Sequence, residues 1–544
     1  FSYCKDGKTF FIKRKIHSME GFITPQSGYH WELTCYQPTF EMHPALTGST
    51  FYEIFPDRFY RSPSYVAHPI PGTILRDDWG NLPTYLPTVS STGKLEVKNN
   101  DFFGGNLAGI MEKLSYLKEL GIKILYLMPI WESKENHGYA TANYLNVSPY
   151  LGSSDDLKKL CTKAHELGMY VMLDGVFNHT GSNSLYFNKE GEYPSLGAYQ
   201  SPQSPYFSWY YFTDYPDKYT CWWDFPTLPK LNVCVPSLQE FILGKNGIIE
   251  TWFSYGIDGI RLDVVDELPD EFLTLLCKKI HSLGGFVMGE VWENAATKVA
   301  YNHLRSYFLG YQLDGVMNYP FKDAILEYVK GGNAEKFFYD IMEIVESYPK
   351  PALASSMNFL STHDTLRALT YVVGKNIDNM EWVERRKYAA SIDKLSPEAY
   401  EQAKEYVKLA WTFLCFVPGN PCIFYGDEIG LHGYADPFNR KCFPWNDMDC
   451  DLLSFYQELG EIRNSISCFL AKANFRFLHI DKSICVYERV FGNQKIIVGI
   501  NRTNDTQKFT LHNICKLRYV RNCEVLGHEV TFWRMGCFVL ECEG

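Results

Sequence analysis

The sequence predicts an α/β protein: a closed (β/α)8 TIM barrel with an irregular domain B insertion after strand 3, a C-terminal antiparallel β-sandwich and a short N-terminal β segment. Three observations carry this expectation. Eight short apolar runs, at 51–59, 122–131, 170–179, 257–265, 286–292, 313–319, 358–365 and 422–429, alternate with helix-compatible stretches. The stretch 181–235 is rich in Pro, Tyr, Trp and Ser and has little periodicity. Beyond about residue 469 the pattern changes to short alternating runs without a long helix.

Residues 1–48 carry two strand-like runs, 9–16 and 29–36, and are too few to build their own core. They are expected either to lie on the barrel or to be the remnant of a larger β-domain. Residues 49–465 form the barrel, with helices over 107–120, 155–167, 268–283 and 382–416, where apolar residues recur at three- and four-residue spacing. Residues 181–235 form the inserted domain over the barrel mouth. Residues 466–544 form the sandwich, with strands at 475–479, 484–489, 495–501 and 531–541.

Composition narrows the function. With 63 acidic and 52 basic residues, a net charge of −11, the chain lacks the footprint of a phosphate-backbone binder, so nucleic acid is not an expected partner. The apolar run 409–417 ends at Pro418-Gly-Asn-Pro421, too short for a membrane span. Aromatic residues reach 16%, a proportion suited to surfaces that hold ring-shaped ligands. Sixteen cysteines without a Cys-x-x-Cys pair suggest reduced thiols and a cytoplasmic setting. Secretion remains the alternative, because the first residue is Phe1 and the natural N-terminus is not visible. Cys221 and Cys234 bracket one segment and are a candidate bridge.

A barrel places its chemistry at the C-terminal strand ends. There the chain reads Asp174-Gly-Val-Phe-Asn178-His179, Gly259-Ile-Arg261-Leu-Asp263, Gly289-Glu290-Val-Trp292 and Ser361-Thr-His363-Asp364. Alone, each acidic strand end is usually a turn former or helix cap. Together they supply what retaining glycoside hydrolysis requires, a carboxylate nucleophile and a protonated carboxyl on opposite sides of the scissile bond. Asp263 and Glu290 come from neighbouring strands. Arg261 alternates with Asp263, so both point inward, and its charge is expected to keep Asp263 ionised. Glu290, among carboxylates and near Trp292, is expected to hold its proton.

This motif set resembles that of the α-amylase family, glycoside hydrolase family 13, from Tyr52-Glu-Ile-Phe-Pro-Asp-Arg-Phe59 to Asp436-Pro-Phe-Asn-Arg-Lys-Cys-Phe-Pro-Trp445. Leu228-Pro-Lys-Leu-Asn232 and Gly289-Glu-Val-Trp292 resemble the neopullulanase, cyclomaltodextrinase and maltogenic amylase group. The resemblance implies Asp263 as nucleophile, Glu290 as acid and Asp364 as transition-state stabiliser. It further implies that Tyr139 stacks on the sugar at the cleavage point, that His179, Arg261 and His363 contact it, and that Asp436 and Arg440 hold it from the eighth loop. Trp222 and Trp223 are candidate stacking residues beyond that sugar, with packing inside the inserted domain as the alternative.

The chain also departs from the family pattern. The segment His137-Gly-Tyr-Ala140-Thr-Ala-Asn143 is neutral at two usually acidic positions. The loop Tyr60-Arg-Ser-Pro-Ser-Tyr-Val66 offers few oxygen ligands, Asn99-Asn-Asp101 remains as a weak candidate, and Glu267 replaces a His that is metal-associated in many relatives. No cofactor is therefore expected to be required. Calcium is compatible with the family but is not expected here, and no metal ligands are assigned. The short N-terminal piece leaves monomer and homodimer both open.

The expected function is hydrolysis of α-1,4 and, as an open alternative, α-1,6 bonds in maltooligosaccharides, cyclodextrins, pullulan or starch, with some transglycosylation. The alternatives are an exo-acting α-glucosidase or glucanotransferase on the same barrel, and an inactive carbohydrate-binding protein.

Overall fold

The computed structural model describes residues 1–15, 20–28, 31, 33–89, 93 and 95–543. Eight parallel strands close into a barrel: β1 Phe51–Ile54, β2 Ile124–Leu127, β3 Tyr170–Gly175, β4 Gly259–Leu262, β5 Phe286–Val291, β6 Gly315–Asn318, β7 Met357–Phe359 and β8 Asn420–Phe424. Most are shorter than the apolar runs that predict them, because the last residues of each run leave the sheet and build the mouth. The barrel interior is a filled layer of Phe51, Tyr126, Met172, Met288, Met317 and Phe359 among others, all buried. Long unbranched and aromatic side chains meet there from alternate strand positions.

Two expected helices are each broken in two. The stretch 107–120 forms helices Leu107–Glu112 and Leu114–Glu119, which meet at Lys113. The stretch 382–416 forms Trp382–Ser391 and Pro397–Phe416. Pro397 cannot continue a preceding helix but suits a first turn, and the Ser396 side chain accepts from Ala399 N, so a new helix starts there.

The N-terminal segment is a three-stranded antiparallel sheet, Ser2–Lys5, Lys8–Arg14 and Gly21–Thr24. The run 9–16 thus contains a strand, its last residue Ile16 lying outside the described residues. The run 29–36 contains no strand among its described residues, and Tyr29 lies outside them. This segment lies on the barrel: Thr34 Oγ1 donates to Ser347 O at 3.0 Å, and Gln37 N to Leu309 O at 2.9 Å.

Residues 181–235 hold only short elements, including a hairpin of Phe212–Asp214 with Lys218–Tyr219. Aromatic packing replaces regular structure there: Tyr186 and Trp209 lie 5.5 Å apart, and both meet Phe241 of the helix Pro236–Leu243.

The C-terminal antiparallel unit has six strands: β9 Asn474–Ile480, β10 Ile484–Phe491, β11 Gln494–Asn501, β12 Gln507–Thr510, β13 Lys516–Leu526 and β14 Glu529–Glu543. The long β14 pairs with β11 and β12 along one edge and β13 along the other. Strands β12 and β13 are invisible in the hydrophobic pattern because polar residues interrupt both, and β13 carries two register shifts. Along β14, Cys537 and Val539 face the barrel core, while Phe538, Leu540 and Cys542 face a separate core inside the unit. That is the period of two expected of a strand buried on both faces.

Arg489 and Tyr487 of this unit, together with Arg463 of the barrel-side helix Cys450–Ser465, close the C-terminal end of Pro397–Phe416. Arg489 Nη1 donates to Phe416 O at 2.7 Å and its Nη2 to Leu470 O and Ala473 O at 2.6 and 2.8 Å. Arg463 donates to Cys415 O and Gly419 O, and Tyr487 Oη to Phe413 O. The last carbonyls of a helix have no partner within it, and cations suit that end of its dipole.

The cysteines correct one expectation. Cys515 and Cys542 are disulfide-bonded, whereas the other fourteen are free, Cys221 and Cys234 included. No helix among the described residues is long and apolar enough to cross a membrane.

Candidate active site

Parallel pairing assembles the mouth. Asp174 at the end of β3 lies directly opposite Arg261 on β4, and Leu262 lies opposite Gly289 on β5. The next rung therefore sets Asp263 beside Glu290. Arg261 is completely buried and holds all three carboxylates. Its Nη1 donates to both oxygens of Asp174 at 2.9 Å and to Asp263 Oδ1 at 2.9 Å, and its Nη2 lies 2.8 Å from Glu290 Oε2. The Nη2 approach is a charge contact, since its geometry is not that of an aligned hydrogen bond.

This departs from the expectation that Arg261 keeps Asp263 ionised. One guanidinium is shared three ways, so it cannot fully offset the burial of Asp263. Burial pushes the Asp263 carboxyl well above the usual range; Arg261 opposes this, and the charges of Glu290 and Asp174 add to it. Glu290 does not rest against carboxylates alone: Val264 N donates to its Oε2 at 2.8 Å and Trp292 Nε1 to its Oε1 at 3.1 Å. Val264 reaches this position with φ of 40°, a left-handed backbone that is costly for a β-branched residue and that aims its N–H at the carboxyl.

On the opposite wall, His363 lies between two acids. Its Nδ1 is 2.6 Å from Glu53 Oε1 on β1, and its Nε2 is 3.0 Å from Asp364 Oδ2. Burial disfavours its charge, but Asp364 and Glu53 outweigh burial and push it up to about 10, so it is an imidazolium. Burial likewise opposes the charge on Asp364, yet His363 and then Arg440 hold its carboxyl well below the usual range. Arg440 Nη2 is 3.3 Å from Asp364 Oδ1 and its Nη1 2.8 Å from Asp436 Oδ1.

Tyr139 sits between the walls. Its hydroxyl donates to Asp174 Oδ2 at 2.9 Å and lies 2.6 Å from His363 Nε2, while its ring stacks on the His363 ring. His179 is neutral, because burial and then the charge of His137 push it down to about 3. Its buried Nε2 has no hydrogen-bond partner among the described residues and is available to a substrate hydroxyl. Trp222 stacks on the His179 ring with centroids 5.4 Å apart. Trp223, by contrast, is 76% exposed. The structure thus brings ten of the eleven expected residues into one connected cluster, with Trp223 projecting from its rim.

Residues 53–465 match the family model for the α-amylase catalytic domain. The chain belongs to the α-amylase family of glycoside hydrolases. Over 92% of its length it is 34% identical to an amylopullulanase of Thermoanaerobacterium saccharolyticum, of which it spans 41%. It is 32% identical to a cyclomaltodextrinase of a Bacillus species, with 85% of this chain and 73% of the relative covered. Among solved structures, the type III pullulan hydrolase from Thermococcus kodakarensis superposes with a TM-score of 0.74 at 26% identity, over 99% of this chain and 87% of that one.

Within this α-amylase-family barrel, sequence reasoning leaves out three residues. Asp174 neutralises Arg261, Glu53 sets the charge of His363, and Tyr126 donates to Asp174 Oδ2 at 2.7 Å. Asp174 and Glu53 each lie in a motif quoted from the sequence. The missing signal is spatial, since their partners lie 87 and 310 positions away. The weak calcium candidate does not fit a metal. Asp101 is buried and already accepts from Thr84 N at 2.8 Å, Asn136 Nδ2 at 3.1 Å and Arg76 Nη1 at 3.3 Å. Among the described residues no group of three or more His, Cys, Asp or Glu could hold a metal ion.

Proposed function

We propose that this chain is a retaining α-glucan hydrolase acting on α-1,4 bonds, and on α-1,6 bonds of pullulan-type substrates. The observation that carries the reading is the single Arg261 guanidinium spanning Asp263 and Glu290. Asp263 Oδ1 lies 2.9 Å from its Nη1 and Glu290 Oε2 2.8 Å from its Nη2, so both carboxyls are drawn to one side chain, and a nucleophile and an acid held close together are what retention uses.

In the reacting form Glu290 is the acid and Asp263 the carboxylate. Asp263 attacks the anomeric carbon as the glycosidic C–O bond breaks, and Glu290 gives its proton to the leaving oxygen. Water then attacks the glycosyl-enzyme bond and returns a proton to Glu290, and Asp263 leaves as a carboxylate. A sugar hydroxyl in place of water gives transglycosylation. Asp364, held ionised by His363 and Arg440, faces the positive charge that builds on the ring. A cavity of about 550 Å³ beside β4, lined by Lys230, Glu267, Tyr301 and Arg305, suits the leaving sugar. Lys230 and Glu267 pair there at 2.7 Å.

The proton and charge in these steps are carried by Asp263, Glu290 and Asp364, so no metal enters them. Support for the substrate class comes from relatives named amylopullulanase and cyclomaltodextrinase.

The test is incubation with maltoheptaose, β-cyclodextrin and pullulan, with and without EDTA, beside Glu290→Gln. The reading expects maltose from maltoheptaose and cyclodextrin, panose from pullulan where α-1,4 bonds are cut and maltotriose where α-1,6 bonds are cut, all insensitive to EDTA and absent in the variant. Failure to cut any of the three would overturn it.

A further inference from the structure

We infer that Trp382 and Arg386 form a second sugar-binding site, which takes the α-glucan residues on the non-leaving side of the cleft, beyond the one gripped by Asp364, Asp436 and Arg440. This rests on the α-glucan reading above and extends it to side chains outside the family motifs.

The argument begins with a continuous line of side chains that leaves the catalytic cluster. Asp364 meets Arg440 at 3.3 Å and Arg440 meets Asp436 at 2.8 Å. Asp436 Oδ2 then lies 3.9 Å from Arg386 Nη2, and the Arg386 guanidinium lies over the Trp382 ring, 5.0 Å from its centroid. The line starts at the end of β7, passes through the loop after β8 and ends on the helix Trp382–Ser391. Glu290, which protonates the leaving oxygen, is on β5. The line therefore runs away from the leaving group and follows the donor part of the chain.

The helix is held where such a site needs it. It does not enter the main barrel core; it joins a small separate apolar cluster of Ile377, Ala389, Tyr434 and Phe438, with Tyr85 and Tyr388 at its edge. Tyr434 and Phe438 flank Asp436 in sequence, so one cluster fixes both the sugar-gripping aspartate and the helix that presents Trp382. Arg386 is anchored from a third direction, as its Nη1 donates to Tyr85 O at 3.2 Å.

Chemistry completes the argument. Trp382 is 37% exposed, with the Arg386 guanidinium over one face of its flat ring. The 3.9 Å gap between Arg386 and Asp436 is too long for a closed hydrogen bond, and Asp436 keeps about a third of its side chain exposed. Donor and acceptor capacity therefore remain for sugar hydroxyls beside a stacking surface, the combination that suits a pyranose ring.

The test uses nitrophenol release from 4-nitrophenyl α-glucoside and 4-nitrophenyl α-maltotrioside. The leaving group is then constant and only the donor length changes. The wild type should favour the trioside in kcat/KM, and Trp382→Ala should lower the trioside-to-glucoside ratio at least tenfold. Trp382→Phe should retain most of the ratio, and Arg386→Met should lower it several-fold. Thermal unfolding midpoints check that each variant remains folded. A ratio within twofold of wild type in Trp382→Ala, or an equal loss on both substrates, would overturn the site while leaving the hydrolase reading intact. A wild type that releases nitrophenol from neither substrate would remove both.

Discussion

The catalytic mouth and the seam between the barrel and the C-terminal sheet both bury arginines, and they use them in opposite ways. At the mouth, Arg261 faces Asp174, Asp263 and Glu290. At the seam, Arg489 donates to the carbonyls of Phe416, Leu470 and Ala473 and pairs with no carboxylate among the described residues. Burial without a compensating anion pulls Arg489 down to about 9. At the mouth, anions outnumber the cations that hold them, so a proton must be shared. The seam uses charge to close a helix end; the mouth leaves charge unbalanced and so keeps a proton movable. Stability and reactivity thus come from the same residue type, separated by what surrounds it.

The largest effect should come from the mouth. Glu290→Gln keeps the shape of the side chain but cannot deliver a proton, so turnover of maltoheptaose should fall by roughly 10³-fold or more. With α-glucosyl fluoride, whose leaving group needs little protonation, the first step should recover by at least tenfold relative to that loss, whereas Asp263→Asn should stay inactive on both substrates. Steady-state rates on the two substrates check this. Equal losses on both would mean that Glu290 is not the acid.

The seam should respond in stability and not in chemistry. Arg489→Met fills much of the same volume but leaves three buried carbonyls without their donor. We expect a loss of about 2–4 kcal/mol in urea unfolding and an unchanged KM for maltoheptaose. A variant as stable as wild type would show that water satisfies those carbonyls and that the seam is wetter than it looks.

The two regions also differ in how far the sequence discloses them. The apolar runs reveal all eight barrel strands, and the acidic strand ends reveal the mouth, because local pattern and site chemistry coincide there. Arg489 gives no such signal: its partners lie on a helix 73 positions earlier and at the end of the short helix Ser467–Lys472, 16 to 19 positions before it, and a cap of this kind has no sequence period. Strands β12 and β13 escape for a related reason, since pairing with β14 and not hydrophobic alternation defines them. Even at the mouth, the sequence names the residues but not how their charges are divided. That Arg261 serves three acids follows from the register Asp174 to Arg261, which only the closed barrel supplies.

The smallest expected effect tests that division of charge directly. Burial holds the folded-state pKa of Asp263 above its unfolded value. Its contribution to stability is therefore fully present below the ordinary carboxylate pKa of about 4 and is lost as pH rises toward the folded value. At pH 7 the wild type bears this cost, and Asp263→Asn does not. The variant should be inactive yet more stable, by about 1 kcal/mol or 1–2 °C in its unfolding midpoint, with the advantage shrinking as pH approaches 4. A variant less stable than wild type at pH 7 would mean that Arg261 needs Asp263 more than burial disfavours it, and the mouth would then resemble the seam: a charge held for structure.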